Sequence, residues 1–117
     1  MREQRDGGRH PVEHPVVLML ASDAGATVHT GVTVEVGRGG CSVRLDEAIE
    51  PRRWAGATGV LLVQLARREV AALTGAPLLE DEPTRTIRLT LVPAVAGDGG
   101  WAEWVRQLED LATVIVD

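Results

Sequence analysis

The chain contains no lysine, phenylalanine or tyrosine, and its one cysteine is Cys41. A lone cysteine excludes an intrachain disulfide and a cysteine zinc site, and its place in an alternating apolar run marks it as a buried thiol. His10, His14 and His29 show no metal-ligand spacing, so no metal site is expected. No stretch approaches the ~18 apolar residues of a membrane-spanning helix. The opening MREQRDGGRH lacks the apolar segment of a signal peptide. A cytoplasmic location without membrane insertion is the expectation. No Ser-His-Asp or Cys-His arrangement, paired-carboxylate signal or phosphate loop occurs, and no catalytic residue or cofactor is assigned.

With lysine absent, all twelve basic residues are arginine. Such usage, beside abundant alanine, glycine and valine, is what a GC-rich bacterial genome produces. A net charge of −5 argues against binding a nucleic-acid polymer, which draws its affinity from phosphate neutralisation. It leaves room for a small anion held by a local arginine cluster. The 117 residues fit one domain, and 44% hydrophobic with 25% charged residues is ordinary for a folded globular chain.

Period-two patterning dominates. PVVLMLAS (15 to 22) is a compact apolar strand, ended by a turn at Asp23, Ala24 and Gly25. TVHTGVTVEV (27 to 36) alternates, which places Val28, Val32, Val34 and Val36 with Thr30 on one face and His29, Gly31, Thr33 and Glu35 on the other. GRGG (37 to 40) is a glycine-rich turn, and CSVRL (41 to 45) resumes with Cys41, Val43 and Leu45 inward, completing a hairpin. GVLLVQLARR (59 to 68) reads as a strand by its flanking glycines, with a short helix as the alternative, and VAALTGAPLL (70 to 79) as an edge strand or bulge because of Gly75 and Pro77. TRTIRLTLVP (84 to 93) sets Ile87, Leu89 and Leu91 opposite Thr86, Arg88 and Thr90. The period then changes to three and four. Trp101, Trp104, Val105, Leu108, Leu111 and Ala112 form the apolar stripe of a helix from about 99, with Asp98 as N-cap and the two tryptophans docking it. These elements predict an all-β fold with a C-terminal helix: about six antiparallel strands, closed into a barrel because closure removes reactive edges.

Ahead of the barrel lies RDGGRHPVEHPV (5 to 16). Asp6, Gly7 and Gly8 favour a mobile backbone, and Pro11 and Pro15 oppose a helix. Residues 1–10 therefore read as a flexible arm carrying Arg5 and Arg9, followed by a single domain over 11–117. An Arg-x-x-x-Arg arm, the strand entry HPVEHPV (10 to 16), and VEVGRGGCSVRL (34 to 45) with its acid before a glycine-rich turn together resemble the PilZ domain. The resemblance runs through nearly the whole chain in element order. It implies a six-stranded antiparallel barrel, a bacterial receptor for cyclic di-GMP, and a domain that is not itself an enzyme.

The second PilZ motif, Asp/Asn-x-Ser-x-x-Gly, is altered here. Its positions hold Glu35, Gly37 and Gly40, so the acid is longer and the serine hydroxyl is missing. Cyclic di-GMP presents two phosphates and two guanines. Guanidinium groups bind phosphate oxygens or the O6/N7 edge through paired N–H bonds and stack on purines. A carboxylate accepts from guanine N1–H and N2–H. The resemblance thus implies a ligand site of Arg5, Arg9, Glu35, Gly37 and Gly40, to which Arg38 in the turn adds a further phosphate contact. Glycines 37, 39 and 40 permit close approach of backbone and ligand and could form an anion nest, although a tight hairpin needs them anyway. The leading expectation is a small receptor in which cyclic di-GMP orders the arm and the altered surface engages an unidentified output protein. The alternative is a degenerate PilZ adaptor that has lost the nucleotide and acts through protein contacts, as in motility or type IV pilus systems. An unrelated small-barrel enzyme or nucleic-acid binder has little beyond the barrel to support it.

Overall fold

In the computed structural model, residues 9–23, 25–92 and 100–116 are described. The strands follow in the order β1 (His10–Pro11), β2 (Pro15–Ser22), β3 (Gly25–Val36), β4 (Gly40–Leu45), β5 (Thr58–Gln64), β6 (Glu69–Thr74), β7 (Leu78–Asp81) and β8 (Thr86–Val92). Helix α1 spans Trp101–Val116, and a 3-10 turn at Pro51–Trp54 sits between β4 and β5. Neighbours run β3-β2-β5-β6-β8-β4, and β4 returns to β3, so six antiparallel strands close into a barrel. The short β1 lies against β3, and β7 extends the wall beside β8.

Alternating side chains fill the interior. Val16, Leu18 and Leu20 of β2 meet Leu61 and Val63 of β5, Val70 of β6, Ile87 and Leu89 of β8, and Cys41, Val43 and Leu45 of β4. With no phenylalanine or tyrosine available, the core is aliphatic, and tryptophan closes both ends. Trp101 and Trp104 of α1 are buried over one mouth, as their spacing predicts. Trp54, on the 3-10 turn, is buried at the other and meets the His29 ring edge-on at 6.5 Å. Burial pushes the Cys41 thiol up to about 12, against a smaller opposing influence of the Arg9 charge.

The facing of β3 differs from the sequence expectation. Its inward residues before the end are His29, Gly31 and Thr33, while Val28 is 65% exposed and Val34 is also exposed. A bulge between Thr33 and Glu35 leaves Val34 without a partner and switches the phase, so only Val36 of the expected valine face lies inside. Two features make a glycine and a threonine the better inward residues. A Cβ at Gly31 would stand 2.2 Å from the Arg44 carbonyl, so the close β3–β4 approach requires glycine there. The buried Thr33 hydroxyl donates to the Val12 carbonyl at 2.6 Å and accepts the His14 N–H at 2.9 Å, fastening the strand entry.

Smaller departures follow from the same physics. The run at 70–79 breaks at Gly75–Pro77, but β6 before the break has β5 and β8 on its two sides and is no edge. The β5 strand ends at Gln64, where Leu65 N–H turns back to the Arg68 carbonyl at 2.8 Å. The β8 strand begins at Thr86, because residues 82–85 form the turn that leads into it. His10, assigned to the arm by sequence, pairs with Val36 in β1. Asp98 and Arg5 lie outside the described residues.

Candidate functional site

The β3–β4 hairpin brings the sequence-assigned residues to the helix-capped end of the barrel. Gly37 N–H donates to the Gly40 carbonyl at 2.8 Å, which closes the turn and leaves that N–H unavailable to a ligand. The Trp101 indole N–H donates to the Gly37 carbonyl at 2.9 Å, so the helix holds the turn from within. Gly40 is required by packing, since a Cβ there would lie 2.7 Å from the Leu89 carbonyl of β8. Gly37 is not at positive φ: the positive-φ glycines among the described residues are Gly25, Gly56 and Gly100.

β1 then positions the arm. Pro11 pairs with Glu35 across the β1–β3 ladder, which sets the preceding Arg9 beside the Glu35 carboxylate. Arg9 donates to Glu35 in a half-exposed ion pair. The arginine of the arm and the acid of the hairpin, 26 residues apart in sequence, are thereby in contact. Adjacent to Arg9, the His10 Nε2 is buried and has no hydrogen-bond partner.

Arg38 is directed elsewhere. Its guanidinium grips Glu109 of α1 through two bonds, Nε to Oε2 at 2.9 Å and Nη2 to Oε1 at 2.7 Å. The hydrogen bond from Arg38 holds the Glu109 carboxyl below the usual carboxylate range, and the same bond raises the guanidinium. Arg38 thus ties the hairpin turn to the helix.

The barrel register adds residues that motif reading did not assign. Glu35 pairs with Ser42, Ser42 with Arg88, and Arg88 with Leu78, giving one outward row across β3, β4, β8 and β7. Arg44 follows two positions along β4 from Ser42. The Ser42 hydroxyl donates to Glu80 at 2.6 Å, and the other Glu80 oxygen lies 3.6 Å from Arg88. Arg44 reaches Glu13 at 3.3 Å. Outward positions in alternating strands were the available signal for Ser42, Arg44 and Arg88. Their convergence with Arg9 depends on register, which no local pattern contains.

The outcome is a charge-balanced face whose arginines are each matched by a carboxylate: Arg9 by Glu35, Arg44 by Glu13, Arg88 by Glu80. Phosphate oxygens accept charge-assisted N–H bonds as carboxylates do, so a phosphodiester can exchange for these carboxylates. A freed Glu35 presents an acceptor for N–H groups. Among the described residues, no group of three His, Cys, Asp or Glu side chains could hold a metal ion, and no helix is long and apolar enough to cross a membrane.

No family model matches the sequence, and no curated protein does. Among solved structures, the chain is similar to the PilZ domain of CeSA from a cellulose-synthesizing bacterium, with a TM-score of 0.52 and 14% identity. The likeness covers 93% of this chain and 98% of that one. A closed six-stranded antiparallel barrel capped by one C-terminal helix, matched over nearly its whole length, identifies the fold of this chain as that of a PilZ domain.

Proposed function

We propose that the chain is a cyclic di-GMP receptor of the PilZ type, without enzymatic activity, that relays the nucleotide signal to an output protein. The observation that carries this reading is the contact between Arg9 and Glu35, which joins the arm to the hairpin at the two places where the family resemblance puts ligand residues. In this reading the dinucleotide phosphates take Arg9 and Arg5 from the arm, while Glu35 turns to a guanine edge. Arg44 and Arg88 offer further phosphate or O6/N7 contacts on the same outer face. Arg38 joins once Glu109 releases it, and Gly37 and Gly40 keep the turn low enough for the ligand to approach. The nucleotide would bridge arm and hairpin, shifting the population of arm conformations and so the surface offered to a partner.

Exchange of carboxylate for phosphate makes affinity a difference between two charge-assisted interactions, so binding should weaken with salt and favour a dianionic ligand. Calorimetric titration with cyclic di-GMP tests the proposal, with GTP and cyclic di-AMP as controls. Saturable binding of cyclic di-GMP over both controls is expected. No heat and no displacement of backbone resonances at 9–11 and 35–44 would sink the receptor reading and leave the adaptor.

A further inference from the structure

At the barrel end opposite α1, the loop after β4, the 3-10 turn and the β7–β8 turn line a half-open pocket of about 330 Å³. Its floor and wall are aliphatic, made by Ile49, Leu79 and the fully buried Ile87. Its rim is charged with both signs: Arg52 and Arg85, Glu50 and Glu82. None of these four side chains has an ion-pair partner among the described residues. Arg9, Arg38, Arg44, Arg88 and Arg106 each have a carboxylate partner, while Arg52 and Arg85, like Arg53, Arg67 and Arg68, have none among the described residues.

Arg85 is the non-glycine residue at positive φ, +58°, among those described, in a turn position where glycine is the usual occupant. Its N–H closes the turn on the Glu82 carbonyl at 3.0 Å, and its carbonyl accepts the Leu45 N–H at 3.1 Å. Its Nε donates back to the Leu45 carbonyl at 2.9 Å. The guanidinium is thereby fixed through Nε, with its Nη pair left for another acceptor at the cavity rim. Arg85 thus both ties the turn to Leu45 and lines the pocket rim.

We propose that this cavity binds a small apolar zwitterion: an α-amino acid with a branched aliphatic side chain. Its carboxylate meets Arg85 and Arg52, its ammonium meets Glu82 and Glu50, and its side chain rests on Ile49, Leu79 and Ile87. A ligand carrying both charges satisfies both pairs at once, whereas a simple anion leaves the glutamates facing like charge. This pocket lies apart from the Arg9–Glu35 contact.

The test is titration of the ¹⁵N-labelled protein with L-leucine, L-isoleucine and L-valine to about 20 mM, well above a Kd of about 1 mM. Saturable shifts confined to residues 48–52 and 79–87, with none at 35–42, are expected. N-acetyl-leucine, which lacks the ammonium, and leucinamide, which lacks the carboxylate, should each bind at least about ten-fold more weakly, the scale of one charge-assisted bond. Arg85→Gly, which suits the backbone angle and preserves the fold, should weaken leucine by roughly ten-fold, as should Arg52→Ala. No saturable shift with any of the three amino acids, or equal binding of N-acetyl-leucine, overturns the proposal.

Discussion

The indole N–H of Trp101 donates to the backbone carbonyl of Gly37, 64 residues earlier, at 2.9 Å. This bond, with the Arg38–Glu109 pair outside it, makes the helix and the hairpin turn one unit. The site's geometry therefore depends on a side chain that touches no ligand. Replacing Trp101 with phenylalanine keeps most of the buried ring but leaves the Gly37 carbonyl unpaired. Chemical denaturation should register a loss of about 1–2 kcal/mol. Trp101→Ala should lose about 3–5 kcal/mol, since the side chain is almost wholly buried.

Arg9→Ala should weaken cyclic di-GMP by about 1.5–3 kcal/mol, the range for a hydrogen bond to a charged group. Its half-exposed pair with Glu35 adds little to folding, so the melting temperature should stay nearly constant. Arg9→Lys should also weaken binding, because an ammonium lacks the two-pronged planar contact. Calorimetry on Arg9→Ala and Arg5→Ala decides the arm's role: unchanged affinity in both removes it from the site.

Glu109 competes with any phosphate for Arg38. Glu109→Gln removes the charge and should tighten cyclic di-GMP by roughly two- to five-fold, consistent with one exposed ion pair of up to about 1 kcal/mol. An affinity that does not move would place Arg38 outside the ligand site and leave it as a tie between hairpin and helix.

Restoring the family pattern is a direct test of the altered motif. Gly37 is not among the positive-φ glycines, so serine there meets no left-handed backbone strain. Gly37→Ser with Glu35→Asp should tighten cyclic di-GMP by roughly 1–2 kcal/mol through one recovered hydroxyl contact and a shorter acid. Thermal unfolding without ligand checks that the double variant remains as stable as the parent. A stable double variant that ignores the nucleotide would favour the adaptor.

Cys41 gives a pH signature. Its thiol is held up to about 12 by burial, against an ordinary value of 9.0, so the folded chain resists deprotonation. The stabilisation is complete below pH 9.0 and is lost as pH rises from there toward about 12. The slope is at most about 1.4 kcal/mol per pH unit. Having neither lysine nor tyrosine, the chain has no other side chain that ordinarily titrates near pH 10. Denaturation midpoints measured across this window should fall in the parent and stay flatter in Cys41→Ala. Parallel slopes would reject the assignment.

Much of the fold was legible locally. Alternation in 41 to 45 and 84 to 93 located β4 and β8 with their inward residues, because a strand with one buried face must repeat every second residue, and the compact apolar run at 15 to 22 located β2. The change to a period of three and four located α1 and its two docking tryptophans. Arg9 and Glu35 stand 26 residues apart, so the two segments that hold them were legible separately while their contact was not.

What the sequence determined by itself, then, was the kind of each element and the presence of a barrel's worth of alternating strands. Tertiary structure alone decided which face of β3 turned inward. Apolar residues favoured Val28, Val32 and Val34, but the bulge beyond Thr33 and the close approach at Gly31 favoured the other phase, and interstrand contact outweighed side-chain hydrophobicity. Trp54 found its place at one barrel mouth only because the loop after β4 folds across it. The row Glu35–Ser42–Arg88–Leu78 exists through register between strands far apart in the chain. Local patterns set periodicity, which is a property of one strand; convergence of charges is a property of how strands are paired, and closure of the barrel fixes that pairing.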